Sequence, residues 1–153
     1  MKRMISLLLA VMTVCALTAC GEKKTTTVDA QGLAKALVEQ TAFESELTAV
    51  SNEELAFYIQ SLPEKYDAAA YMSSGSTAEE IFVIECYDGT AASAVRTSMQ
   101  EFLDSQKTEM ERYLPDEVAR INGAVFETYG TCVVLCVTSD TDTARAVIKE
   151  YVK

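Results

Sequence analysis

Two rhythms of apolar and polar positions alternate along the chain, one with the period of a helix and one with that of a strand. Residues 30–40 set Leu33, Leu37 and Val38 on one side of a helix behind Asp29, whose short acceptor side chain suits an N-cap. Gly32 weakens this helix but does not forbid it. Phe43 and Leu47 make a short apolar segment. Ser51 and Glu54 then have the spacing of a capping box leading into Leu55, Phe57, Tyr58 and Ile59, a second, brief helix that Pro63 ends.

From Tyr66 the period becomes two. Residues 66–72 read as a strand and 81–87 as a stronger one, with Ile81, Val83, Glu85 and Tyr87 facing one way and Phe82, Ile84 and Cys86 the other. Asp88-Gly89 breaks the strand. Thr90 opens a long helix to Tyr113, striped by Val95, Met99, Phe102, Leu103, Gln106, Met110 and Tyr113, and Leu114-Pro115 ends it. Residues 116–121 make one helical turn. Residues 124–129 and 131–138 form a hairpin around Gly130, and its second strand is apolar on both faces, as a strand covered on both sides or lying in an interface must be. Asp140 or Thr141 caps a last helix carrying Ala144, Val147, Ile148 and Tyr151.

The order ααββαββα predicts an α+β fold: a two-layer sandwich with a four-stranded, mainly antiparallel sheet. The long and final helices are expected on one face, with the N-terminal helices closing part of the other. Residues 29–153 are read as a single domain.

The N-terminal segment follows neither rhythm. Lys2 and Arg3 precede an apolar run from Met4 to Leu17 that ends in Thr18-Ala19-Cys20-Gly21, and the run is too short for the roughly 20 residues that a spanning helix needs. Leu17-Thr18-Ala19-Cys20 resembles the bacterial lipoprotein signal. That resemblance implies a signal peptide over residues 1–19, removed before Cys20 once a diacylglyceryl group is on its sulfur, and a tether over residues 20–28. Two acyl chains hold a protein stably where one does so only marginally, so Cys20 would be a permanent anchor on the extracytoplasmic face of the cell membrane.

Cleavage would leave 11 basic against 23 acidic residues, a formal charge of −12. Such a surface repels nucleic acid, which is excluded as a partner. Of the five cysteines, Cys86, Cys132 and Cys136 would remain unlipidated. Cys132 and Cys136 lie about 13 Å apart along an extended strand, too far for a disulfide, and Cys86 could pair only across the sheet. All three alternate with aliphatic residues and read as small buried hydrophobes. With no histidine and no Cys-x-x-Cys, no metal or cofactor site is expected.

The candidate ligand-binding residues are few. Ser73, Ser74, Gly75, Ser76 and Thr77 gather four hydroxyls around a glycine, a pattern that serves an anion nest or a turn satisfying its own backbone. Glu79 and Glu80 follow at once and oppose an anion. Glu79, Glu80 and Glu85 could instead face a cation, and Glu85 stands out because its strand side also carries Ile81 and Val83, so if buried it must be paired or protonated. No catalytic residues are assigned. A serine or cysteine nucleophile needs a base, and the commonest one, histidine, is missing from the chain.

Four features together resemble a family of small lipoproteins from Gram-positive anaerobes that carry a domain of unknown function, DUF4358. They are the Cys20 signal, the run from Tyr71 to Ile81, the helix ending near Tyr113-Leu114-Pro115, and the hairpin from Asn122-Gly123-Ala124-Val125 to Cys132-Val133-Val134-Leu135. The Ser-Ser-Gly to Glu-Glu-Ile stretch is the most specific, although Ser76 stands where alanine is expected. The resemblance implies an envelope location and this general architecture, and it supplies no catalytic residues. The expected function is a tethered, non-catalytic domain that binds an envelope protein or an extracellular ligand. The alternative is an envelope hydrolase using carboxylate or lysine chemistry.

Overall fold

Helix α1 (Ala30–Gln40) begins where Asp29 accepts a hydrogen bond from the Gly32 amide, and the chain then makes a short edge strand, β1 (Thr48–Val50). The computed structural model describes residues 27–152, so the signal segment and Cys20 lie outside the described residues. Helix α2 (Asn52–Tyr58) opens on the capping box that the sequence predicts, with both Ser51 and Glu54 in place. Strands β2 (Tyr66–Met72) and β3 (Glu80–Cys86) follow, then α3 (Gly89–Tyr113), α4 (Pro115–Asn122), β4 (Val125–Tyr129), β5 (Cys132–Val137) and α5 (Thr141–Tyr151). Asp88 caps α3 and Asp140 caps α5.

The strands form one antiparallel sheet in the order β1-β2-β3-β5-β4. This corrects the predicted four-stranded sheet and the predicted order of elements. Three residues are too few to display a period of two, yet β1 satisfies the outer edge of β2, Thr48 to Met72 and Val50 to Ala70. The helix over residues 115–122 runs two turns, not one, because Pro115 starts it at a position that has no amide hydrogen bond to lose.

The predicted two-layer sandwich is also corrected, since helices cover both faces of the sheet. On one face α1 and α5 pack through Leu33, Leu37, Val147 and Ile148 against Ile81, Val83, Val134 and Cys136. On the other, α2, α3 and α4 supply Leu55, Val95, Met99, Leu103 and Ile121 against Phe82, Ile84, Val133 and Leu135. Every residue of β3 and β5 is buried, so each strand needs a cover on both sides. The long and final helices therefore lie on opposite faces, and the first helix joins the last.

The topology follows from one crossover. Strand β4 runs parallel to β3 but leaves a gap, reached through α3 and α4, and the hairpin returns β5 into that gap. Gly130, at φ +61°, is the first of the two turn residues between Tyr129 and Cys132, a conformation that glycine adopts at no steric cost. Tyr113, placed by periodicity on the buried stripe of α3, is instead 72 % exposed, because the helix runs past the sheet's end.

Candidate functional site

The hydroxyl-rich segment between β2 and β3 closes as a turn. The Ser73 amide donates to the Glu79 carbonyl, and the Ser73 hydroxyl donates to the Thr77 carbonyl at 2.6 Å. Gly75 occupies the tip at φ +91°. Ser76 and Ser45 share a hydrogen bond of 3.1 Å, and the Ser45 and Thr77 hydroxyl oxygens lie 3.1 Å apart. Ser74 is exposed. These groups pin the turn to the segment between α1 and β1.

Glu79 is the centre of that clasp. Its side chain has no exposed surface, and its carboxylate accepts from the amides of Glu44 (2.9 and 3.0 Å) and Ser45 (2.8 Å) and from the Thr77 hydroxyl (3.1 Å). The opposing charge comes from Arg120 of α4, whose Nε lies 4.0 Å from Glu79 Oε1. The same guanidinium donates to Glu117 at 2.5 Å and to Glu44, and Glu117 in turn accepts from the Ala78 amide at 2.8 Å. Burial works against the charge on Arg120, but the carboxylates of Glu44, Glu117 and Glu79 outweigh it and hold its pKa above the ordinary value. One guanidinium and three carboxylates leave the knot net negative, which disfavours an anion.

Glu80 points to the other face, toward α3, and is fully buried. Gln106 Nε2 donates to its Oε2 at 3.2 Å, while Glu80 Oε1 and Gln106 Oε1 both lack a partner. An ionised carboxylate with an oxygen buried and unpaired is costly, which favours the neutral, protonated form of Glu80. Burial raises the Glu80 pKa from 4.5 to about 8, with the Gln106 hydrogen bond opposing the shift. The folded state thus keeps a proton that the unfolded chain releases above pH 4.5, so the stabilisation is complete below that pH and is lost as pH rises toward 8. Glu80→Gln mimics the neutral form. It is expected to gain on the order of 3 kcal/mol over the parent at pH 7 and to flatten the fall in stability with pH. Urea unfolding from pH 5 to 8 checks this; an equal slope in both proteins would mean that Glu80 is charged in the fold.

Glu85 faces α1, as its alternation with Ile81 and Val83 predicts. It accepts from the Val28 amide at 3.1 Å and from the Thr131 hydroxyl, so it ties the start of the described chain to the β4–β5 turn. The carboxylates of Glu79, Glu80 and Glu85 thus occupy separate settings, and the structure does not bring them together around one ligand. Cys132 and Cys136 lie on the α1 and α5 face and Cys86 on the opposite one, which separates Cys86 from both. Burial pushes the thiols up, to about 11 for Cys86 and about 12 for the other two, so they stay protonated and unreactive at neutral pH.

Two open clefts adjoin these features. One, of about 440 Å³, is lined by Asp116, Arg120, Gly123, Thr138, Ser139 and Thr141 beside the Arg120 knot. The other, of about 500 Å³, lies between α3 and β4, where Arg96 stacks 4.1 Å from the Phe126 ring centre. Among the described residues no group of three or more acidic or cysteine side chains is disposed to hold a metal. Arg120, Glu44 and Glu117 escape the sequence reading. The signal that could reveal them is the Glu79-Glu80 pair itself, since a glutamate entering an all-apolar strand calls for a cation elsewhere in the chain.

The fold and its polar knot define a small α+β domain, an antiparallel sheet clothed by helices on both faces. Residues 40–138 match the model of a domain of unknown function, DUF4358, and the chain belongs to that family. The match takes in all five strands and leaves outside it α5 and all of α1 but Gln40. No curated protein and no solved structure matches the chain.

Proposed function

We propose that this protein is a lipid-anchored component of the cell envelope whose domain acts by binding, without covalent turnover. The observation that carries the second half is how the polar candidates are used. Glu79 spends its oxygens on two loop amides and a hydroxyl, Glu85 on an amide and a hydroxyl, and Ser73 and Thr77 on neighbouring backbone and side chains. A general base must reach a substrate proton through a free lone pair directed at a cleft, and these groups are directed into the fold. The cleft beside Arg120 presents the Ser139 and Thr141 hydroxyls and the Asp116 carboxylate to solvent, groups suited to recognition, and an envelope protein or extracellular ligand is the partner class.

The anchor rests on Lys2-Arg3, the apolar run and Leu17-Thr18-Ala19-Cys20. Cys20→Ser is expected to abolish metabolic fatty-acid labelling and to move the protein out of the membrane fraction or leave it unprocessed. Equal labelling of variant and parent would remove the anchor. Binding without turnover predicts that a chain beginning at residue 21 leaves an envelope extract chemically unchanged while retaining a component of it. Reproducible conversion of a metabolite, lost on a single surface substitution that preserves the fold, would favour the hydrolase.

A further inference from the structure

A tether from Cys20 enters the domain at Val28, and the end where Val28 is fixed is the one nearest the anchor. Val28 is buried, and its amide is held by Glu85 at the C-terminal end of β3. Seven residues lie between it and Cys20, and those eight Cα-to-Cα steps span at most about 29 Å when fully extended and about 15 Å as a flexible coil. Helix α3 alone, at 25 residues, is about 37 Å long. The tether is therefore shorter than the molecule, and it leaves from one end.

That end has a distinctive surface. Tyr87, two residues beyond Glu85, is 78 % exposed, and the Lys65 ammonium lies 6.0 Å from its ring centre. An exposed tyrosine with an adjacent lysine suits the headgroup layer, where an apolar ring and a polar tip are both accommodated and a long cationic side chain reaches phosphate. The opposite end carries the Ser73–Thr77 turn, Glu79, Arg120 and the cleft beside it, beyond the N-terminal end of β3 and at the far end of α3. Carboxylates stand at both ends, Glu44, Glu79 and Glu117 around one guanidinium here and the exposed Glu64, Asp67 and Asp88 beside Lys65 and Tyr87 at the other, so the exposed aromatic ring and its lysine, not net charge, mark the Tyr87 end.

We propose that the domain stands on the bilayer with the C-terminal end of β3 downward, Tyr87 and Lys65 against the lipid headgroups, and the Arg120 cleft held away from the membrane. The proposal rests on the Cys20 anchor, and the lipid surface is the partner of the Tyr87 end. The binding cleft then faces outward, open to a partner arriving from the far side.

The chain contains no tryptophan, so single-tryptophan variants report one position each. Tyr87→Trp and Lys65→Trp mark the near end; Tyr113→Trp marks the far end at a site of similar exposure to Tyr87. Each full-length lipidated protein is placed in vesicles of phosphatidylcholine brominated near the top of its acyl chains, and flotation of the vesicles is measured in the same samples. Tyr87→Trp and Lys65→Trp are expected to lose most of their emission relative to unbrominated vesicles, and Tyr113→Trp to lose none. Flotation with equal quenching at both ends, with quenching only at Tyr113, or with none, overturns the orientation and leaves the anchor standing. Failure to float overturns both.

Discussion

Replacing Val134 with aspartate is expected to abolish the cooperative unfolding transition. Val134 has no exposed surface and lies on β5 between Val83 of β3 and Glu127 of β4, its side chain among those of α1 and α5. The substitution forfeits the burial of an aliphatic side chain, worth about 1.5–3 kcal/mol, and adds the several kcal/mol of a carboxylate without a partner. A domain of this size has a total stability of about 5–15 kcal/mol, so the loss takes most of it. Val134→Ala, which removes two carbons and adds no charge, is expected to cost about 2 kcal/mol and to keep the transition sharp. Urea titrations followed by far-ultraviolet circular dichroism distinguish the two. An unchanged midpoint for the aspartate variant would mean that this face of β5 is not covered.

Arg120→Met is expected to cost about 3–5 kcal/mol at neutral pH, the range for breaking a buried ion pair by removing one partner. The Arg120 side chain is 10 % exposed and carries the opposing charge for Glu79, whose side chain is not exposed at all. Glu44 is bound to the same guanidinium but its side chain is 63 % exposed, so Glu44→Ala is expected to cost less than about 1 kcal/mol. The contrast assigns the stabilisation to the buried partner. Comparable losses in the two variants, measured by urea unfolding in the same buffer, would instead make the knot a set of surface pairs.

The strands β2, β3, β4 and β5 were legible because alternation needs only five to seven residues to declare itself, as from Ile81 to Cys86. The caps at Asp29 and Ser51 were legible, and the last one was narrowed to Asp140 or Thr141, because the chemistry of a helix N-terminus is local. What the sequence hid was relational. Three residues at Thr48–Val50 become a strand only because β2 has an unsatisfied edge, and the layer that a helix joins depends on crossovers that its own periodicity does not encode. The candidate site divides in the same way. The turn chemistry of Ser73–Thr77 is written in neighbouring residues, whereas the guanidinium opposite Glu79 lies 41 positions further along the chain.

The pairing of α1 with α5 has a consequence for how the molecule is made. Helix α1 lies against α5 and the sheet, so closely that a β-carbon on Gly32 would come within 3.3 Å of the Tyr151 ring. A polypeptide leaves the ribosome N-terminus first, so α1 emerges more than a hundred residues before its neighbour. Until then Leu33, Leu37, Ile81 and Val83 share a face with its second cover missing, and the central slot of the sheet is vacant as well because β5 also comes late. The nascent protein thus leaves this apolar face half covered until Thr141–Tyr151 has been made, and that eleven-residue helix acts as the closing clasp.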